Sequence, residues 1–234
     1  ISRIGDYGEG FFTGELASFA DSDTRAKIMA LLDRRVVQII FGDNANLTAS
    51  AAKALGALLQ SSIQDDPAAV DLRDKLERFI AGQEDGYRQL YDEKSGSFYF
   101  GWNATQDRNT GWEDSRGNWV VGHMDYFVNE FRGPLMFVVH RFGLPIDAIK
   151  NSVFNIKPYK LADGRDIYAL ATWNGSAFES LGLSLFMQEM QERGWRENLK
   201  NSVEIMLDFS SEHKLPGFLS EAYSGDGIEY AANI

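Results

Sequence analysis

Apolar residues recur at helical spacing along most of this chain. Ile28, Leu31, Leu32, Val36, Ile39 and Ile40 fall three and four apart, which predicts a helix over about 25–41 with Asp21, Ser22, Asp23 and Thr24 as available N-caps. After Asp43-Asn44-Ala45-Asn46 a second helix is expected from Leu47 to Leu59. A third starts near Ala68 and carries Leu72, Leu76, Phe79 and Ile80 toward Leu90. The pattern then changes. Gly96-Ser97-Phe98-Tyr99-Phe100-Gly101-Trp102 reads as a short strand or hairpin near 96–103, and the polar stretch 103–118 reads as a loop. Helical patterning resumes near Gly122, runs to His140 and stops at Gly143-Leu144-Pro145. A short helix from Ile146 to Val153 leads into an irregular stretch through Gly164. Helices follow over about 175–193 and 196–211, divided by Gly194 as a stop signal, and Leu215-Pro216-Gly217 opens a closing loop.

The sum is about seven helices, one β excursion, no linker and no short-period repeat. Helices joined by short loops predict an all-α array of helical hairpins in a single domain over 1–234. Such arrays can close into a toroid, with function carried by loops at one end of the scaffold.

Composition narrows the class of partner. The chain has 234 residues with a formal net charge of −11, a field that repels a phosphate backbone and argues against nucleic acid. Aromatics reach 13%, from 16 Phe, 9 Tyr and 5 Trp; rings fill cores, and they also stack on the apolar faces of sugars. An acidic, aromatic-rich chain suits a neutral polar ligand. Cysteine is absent, which excludes disulfides and thiolate chemistry. No run of eighteen apolar residues exists to span a membrane, and the start at Ile1 carries no signal-peptide pattern, so the chain reads as processed or excised. His123, His140 and His213 stand alone without metal-ligand spacing, and no phosphate loop follows a strand, so neither metal nor cofactor is expected.

Glycoside cleavage needs one carboxylic acid to protonate the leaving oxygen and a second carboxylate as base or nucleophile. Three glutamates stand out for their surroundings. Glu130 lies amid Tyr126, Phe127, Val128, Phe131, Leu135 and Phe137, with Asp125 and Arg132 close by. An apolar setting raises a carboxyl pKa and a nearby Arg lowers it, which is the tuning catalysis uses. The structural alternative is a buried pair of Glu130 with Arg132 that anchors a helix. Glu221 sits in the apolar patch Phe218-Leu219-Ser220-Glu221-Ala222-Tyr223, where it is either a site carboxylate or a turn residue. Glu179 falls in the first turns of a helix, where the dipole favours an acid in any case. Trp173, Trp102, Trp112 and Trp119 could line sugar subsites, or fill the core.

Four of these segments, in order, resemble the glycoamylase-like domain of bacterial cyclic β-1,2-glucan synthases and the related endo-β-1,2-glucanases. Asp43-Asn44-Ala45-Asn46-Leu47 is similar to the family's Asp-Asn-Gly-Asn-Leu, and Asp125 to Arg132 resembles its Asp-x4-Glu-Ala-Arg, with Phe131 in place of alanine. Thr172-Trp173-Asn174-Gly175-Ser176-Ala177-Phe178-Glu179 resembles Ser-Trp-x-Gly-Thr-Met-Phe-Glu. Ser220-Glu221-Ala222-Tyr223, with Glu229-Tyr230 beyond it, resembles Ser-Glu-Ser-Ala-Tyr and the aromatic stretch that follows. The resemblance implies an (α/α)6 toroid that hydrolyses or transglycosylates β-1,2-glucan. It implies Glu130 and Glu221 as the catalytic pair, with Asp125, Arg132 and Glu179 as site or support residues. Asp43, Asn46, Trp173, Tyr223 and Tyr230 fall in the matched segments and are expected at the substrate, as is Trp112 from the adjacent loop. That loop, 103–121, departs from the family pattern, which opens the question of substrate preference. A full toroid needs more helices than the pattern supplies, so the chain is expected to be part of a longer domain.

Three functions compete on these grounds: a hydrolase of a β-linked glucan, foremost β-1,2; a transglycosylase that makes cyclic glucan on the same carboxylates; and a non-catalytic glucan-binding protein. The partner in each is a neutral oligo- or polysaccharide, and the expected compartment is the bacterial periplasm or exterior.

Overall fold

The computed structural model describes residues 38–104, 106–173, 175–185, 187–218, 222–223 and 230–231. It replaces the expected all-α toroid with helices interleaved among short antiparallel strand pairs. The chain divides into two compact units, one made of residues 1–124 and 137–148, the other of 125–136 and 149–234. The glycine-rich start and most of the first predicted helix lie outside the described residues. Its end does not: Gln38–Ile40 is a strand, β1.

In the first unit, helix α1 spans Phe41–Leu59 and starts six residues before the expected Leu47. Its buried residues are Phe41, Gly42, Ala45, Thr48 and Ala51, a stripe of helical period. Helix α2, Pro67–Ala81, opens on an Asp66 cap whose carboxylate accepts from the Ala68 amide at 2.8 Å, with Pro at the first turn. The single long helix expected over about 68–90 is broken at Gly82-Gln83, and α3 resumes over Glu84–Leu90. The break turns Tyr87 inward, where its hydroxyl meets that of Thr48 at 2.7 Å. Phe41 stacks on Phe98 at 4.4 Å and meets Tyr87 edge-on, while Tyr87 stacks on Phe142. Burial pushes the Tyr87 phenol well above its ordinary value, against the Thr48 hydrogen bond.

The β excursion is larger than expected. Strand β2 (Tyr91–Asp92) pairs with β3 (Ser97–Phe98), and β4 (Gly101–Asn103) lies between β1 and β5 (Arg108–Asn109). A side chain at Gly101 would come within 2.1 Å of the Ile39 carbonyl oxygen, so glycine is required there. The expected loop 103–118 is partly strand: β6 (Gly111–Glu113) pairs with β7 (Trp119–Val121) around a turn in which Asp114 accepts from the Arg116 and Asn118 amides. The Arg108 guanidinium lies 3.5 Å above the Trp119 ring.

The expected helix over about 122–140 begins only at Arg132, as α4, Arg132–Arg141. Before it the chain is extended: the Phe100 amide donates to Gly122 and the Met124 amide to Phe98. Backbone partners on a neighbouring strand outweigh the helical spacing of the apolar side chains. Gly143, at φ 59°, closes the helix as the sequence predicts.

The second unit is built on a hairpin and a helix. The stretch expected to be irregular contains β8 (Ile156–Lys160) and β9 (Asp166–Leu170), paired along five residues. Helix α7, Arg193–Glu212, packs on β9; Gly194 lies inside its first turn and stops nothing. Asn198 accepts from the Leu170 amide at 2.7 Å, and Asn201 donates to the Tyr168 carbonyl at 2.7 Å. The expected helix 175–193 breaks into α6, Ala177–Leu181, and 3₁₀ turns at Gly182–Leu185 and Glu189–Gln191. Short helix α5, Asp147–Lys150, replaces the expected 146–153. Among the described residues no helix is long and apolar enough to cross a membrane.

In the first unit Asp92 ties the β2–β3 turn to His123, at 2.9 Å, and accepts from the Lys94 amide at 3.0 Å. Burial alone would raise the Asp92 carboxyl, but hydrogen bonds from Ser95, His123 and Lys94 hold it below its ordinary 3.8. A depressed folded-state value contributes stability above the unfolded pKa, which is lost as pH falls through the folded one. Asp92→Asn should cost about 1–2 kcal/mol at neutral pH, and its gap from wild type should close below pH 3.8. Urea titrations at both pH values check this; a pH-independent gap would mean that charge is not the cause.

Candidate functional site

Two of the singled-out segments meet in the second unit. The first, Asp125–Arg132, enters as extended chain, with the Val153 amide donating to the Asp125 carbonyl and the Phe127 amide to the Val153 carbonyl at 3.2 Å. Phe127 stacks on Phe154 at 4.4 Å, which fixes the path of the chain into the turn that follows. Asn129 makes that turn. Its side chain is buried, donates to the Tyr126 carbonyl and accepts from the Phe131 amide at 3.0 Å. Glu130 follows, half-buried between the buried Asn129 and Phe131, while Asp125 is exposed. A side chain at Gly133 would strike the Met187 sulfur at 2.0 Å, so the start of α4 needs glycine to lie against that thioether.

Arg132 is the centre of the arrangement. It is 1% exposed, and each of its five N–H groups has an acceptor. Nε and Nη2 fork onto Glu189 at 2.7 Å each. Nη1 donates to the carbonyls of Asn129 at 2.7 Å and Glu179 at 2.8 Å, and Nη2 donates to Ser180 at 3.1 Å. Its guanidinium carbon lies 5.0 Å from the Trp195 ring centre. No donor remains for a substrate, so Arg132 supports the site. Its acid is Glu189, and the pair considered in sequence, Glu130 with Arg132, is not the one formed.

The second segment, Thr172–Glu179, is held by its own turn chemistry. Thr172 is buried and accepts from the Gly175 amide at 2.7 Å, with Gly175 at φ 73°. Ser176 caps α6 by accepting from the Phe178 amide at 3.2 Å. Glu179 is 3% exposed in the first turn, and Trp173 is 43% exposed. Arg132 therefore binds the backbone of this segment directly, which joins two stretches more than forty residues apart in sequence.

The other expected residues are placed as follows. Asp43 is exposed and Asn46 half-buried in the first turns of α1, and Trp112 is half-exposed on β6; all three belong to the first unit. Glu221 lies outside the described residues. Tyr223 and Tyr230 are backbone register partners across β10 (Ala222–Tyr223) and β11 (Tyr230–Ala231). Sequence reasoning missed Glu189. Its signal was present, an acid within Leu185-Phe186-Met187-Gln188-Glu189-Met190, but a continuous helix over 175–193 gave it a solvated face.

No family model matches this chain, and no curated protein matches it.

Removing one partner of a buried ion pair strands the other. Arg132→Met should cost about 3–5 kcal/mol by leaving Glu189 buried and unpaired. Adding Glu189→Met to it should cost less than the sum of the two single changes. Urea unfolding of the four chains measures the coupling, and additive losses would show the pair to be independent.

Proposed function

We propose that this chain is a glycoside hydrolase of a β-linked glucan, with β-1,2-glucan the first substrate to test. Glu130 and Glu221 share the work: one protonates the leaving oxygen, and the other serves as base or nucleophile. The observation that supports this reading is the junction made by Arg132. It locks the turn that carries Glu130 against the segment of Trp173 and Glu179, so residues that resemble one family's motifs gather around one buried cation. A carboxyl that protonates a glycosidic oxygen needs partial shielding from water and access for substrate, and half-buried Glu130 meets both needs. A net charge of −11 suits a neutral ligand.

An activity screen across β-1,2-, β-1,3-, β-1,4- and α-glucans should give short reducing oligosaccharides from a β-linked substrate. Glu130→Gln and Glu221→Gln should each lower turnover by about 10²–10⁴-fold with the fold unchanged. Near-full activity in either variant removes that residue from the mechanism. Cyclic products without reducing ends would make the chain a transglycosylase, and binding without product would make it a binding protein.

A further inference from the structure

A cavity of about 230 Å³ opens in the second unit between the β8–β9 hairpin, the Thr172–Gly175 turn and α7. Its walls include Lys157, Tyr159, Thr172, Trp173, Ser202 and Met206. Its volume lies below the roughly 300–1,000 Å³ of pockets for drug-sized ligands, so it suits a single small ring.

Ser202 shows what the cavity offers. The residue is 5% exposed, on the buried face of α7. A buried serine within a helix commonly bonds back to the carbonyl four residues earlier. Ser202 makes no such bond among the described residues, where no buried side-chain oxygen lacks a partner, so its hydroxyl stays accessible, and the residue lines the cavity. Other buried polar side chains on the same face bond within the protein: Asn198 accepts from Leu170, and Ser210 donates to the Gly217 carbonyl. A hydroxyl reached from a cavity can exchange its water for a ligand hydroxyl. Lys157, which forms no ion pair among the described residues, adds a cationic donor from an exposed position on the wall. The half-exposed indole of Trp173 and the Met206 side chain supply apolar surface. Hydroxyl groups and a donor around apolar and aromatic walls complement a sugar ring, which has a polar rim and apolar C–H faces.

We propose that this cavity is a subsite for one glucosyl ring, with Ser202 as its buried anchor and Trp173 as an aromatic wall. The inference rests on the glucan reading above. The test uses the full chain with Ser202→Ala, which removes the hydroxyl, and Ser202→Leu, which fills the cavity. Circular dichroism and melting check the fold; calorimetry and tryptophan quenching read the binding of β-linked gluco-oligosaccharides. Binding should weaken about fivefold in Ser202→Ala and about tenfold or more in Ser202→Leu. Wild-type turnover with unchanged binding in both variants overturns the subsite and leaves the hydrolase reading standing. Weakened binding in the variants without wild-type turnover supports the subsite and removes the hydrolase. A wild-type chain that binds no glucan overturns both. Should Ser202→Leu unfold, Ser202→Ala with Trp173→Ala decides by the same binding measurement.

Discussion

The second unit depends on a guanidinium kept out of water. Burying Arg132 and Glu189 costs several kcal/mol for each ion, and only excellent geometry offsets that. The geometry is present: a two-pronged fork onto the carboxylate, and three backbone carbonyls taking the remaining protons. Those carbonyls come from Asn129, Glu179 and Ser180, so one side chain fixes the turn before α4 and the first turns of α6 together. A lysine could not do this, since its ammonium offers three donors and no planar fork. The requirement spreads outward. Asn129 must hold the turn whose carbonyl Arg132 uses, and Ser176 must cap the helix that presents Glu179 and Ser180.

The rest of that unit has a different balance. Helix α7 buries a stripe that is largely polar, with Asn198, Ser202 and Ser210 beside Leu199 and Met206. Polar groups on a buried face are tolerable where partners exist, and the edge of β9 supplies them through Leu170 and Tyr168. The hairpin and helix are thus joined in part by side-chain bonds to backbone. Such an interface leaves gaps that aliphatic packing would close, and the cavity beside Ser202 lies along it.

Helices with local signals were legible in the sequence. Helix α2 begins one residue from the expected Ala68, and α7 covers the expected 196–211. The stop at Gly143 followed from glycine's freedom at positive φ. Legibility failed where tertiary pairing outweighed spacing. Tyr126, Phe127, Val128 and Phe131 have helical period, yet the chain ahead of Arg132 finds its partners on Val153 in the second unit and on Phe98 in the first. Strands of two or three residues carry too few side chains for alternation to show, so β5 and β6 hid in a polar stretch. Strand β8 is exposed on nearly every residue and gave no two-faced pattern either. For the candidate site, the segments of Glu130 and Glu179 stood out in the sequence, and the structure joins them through Arg132. Glu189 and Ser202 did not, since an ion-pair partner, or a place on a cavity wall, is a property of three dimensions.

Losing the toroid changes what must hold Glu130 in place. In an array of long helices a carboxylate is positioned by the stiffness of its own helix. In this chain Glu130 precedes α4, on a turn whose stiffness comes from Asn129 and Arg132. A turn of that kind is fixed only while its hydrogen bonds are complete, and a misplacement of one ångström can cost a hundredfold in rate. The buried pair therefore has two consequences from one geometry. It supports the fold of the second unit, and it sets the precision available to a carboxylate two residues away. Under the glucan hydrolase proposed above, Arg132 would serve chemistry without touching substrate: with all five donors committed inside the protein, it would have nothing to rearrange on sugar binding.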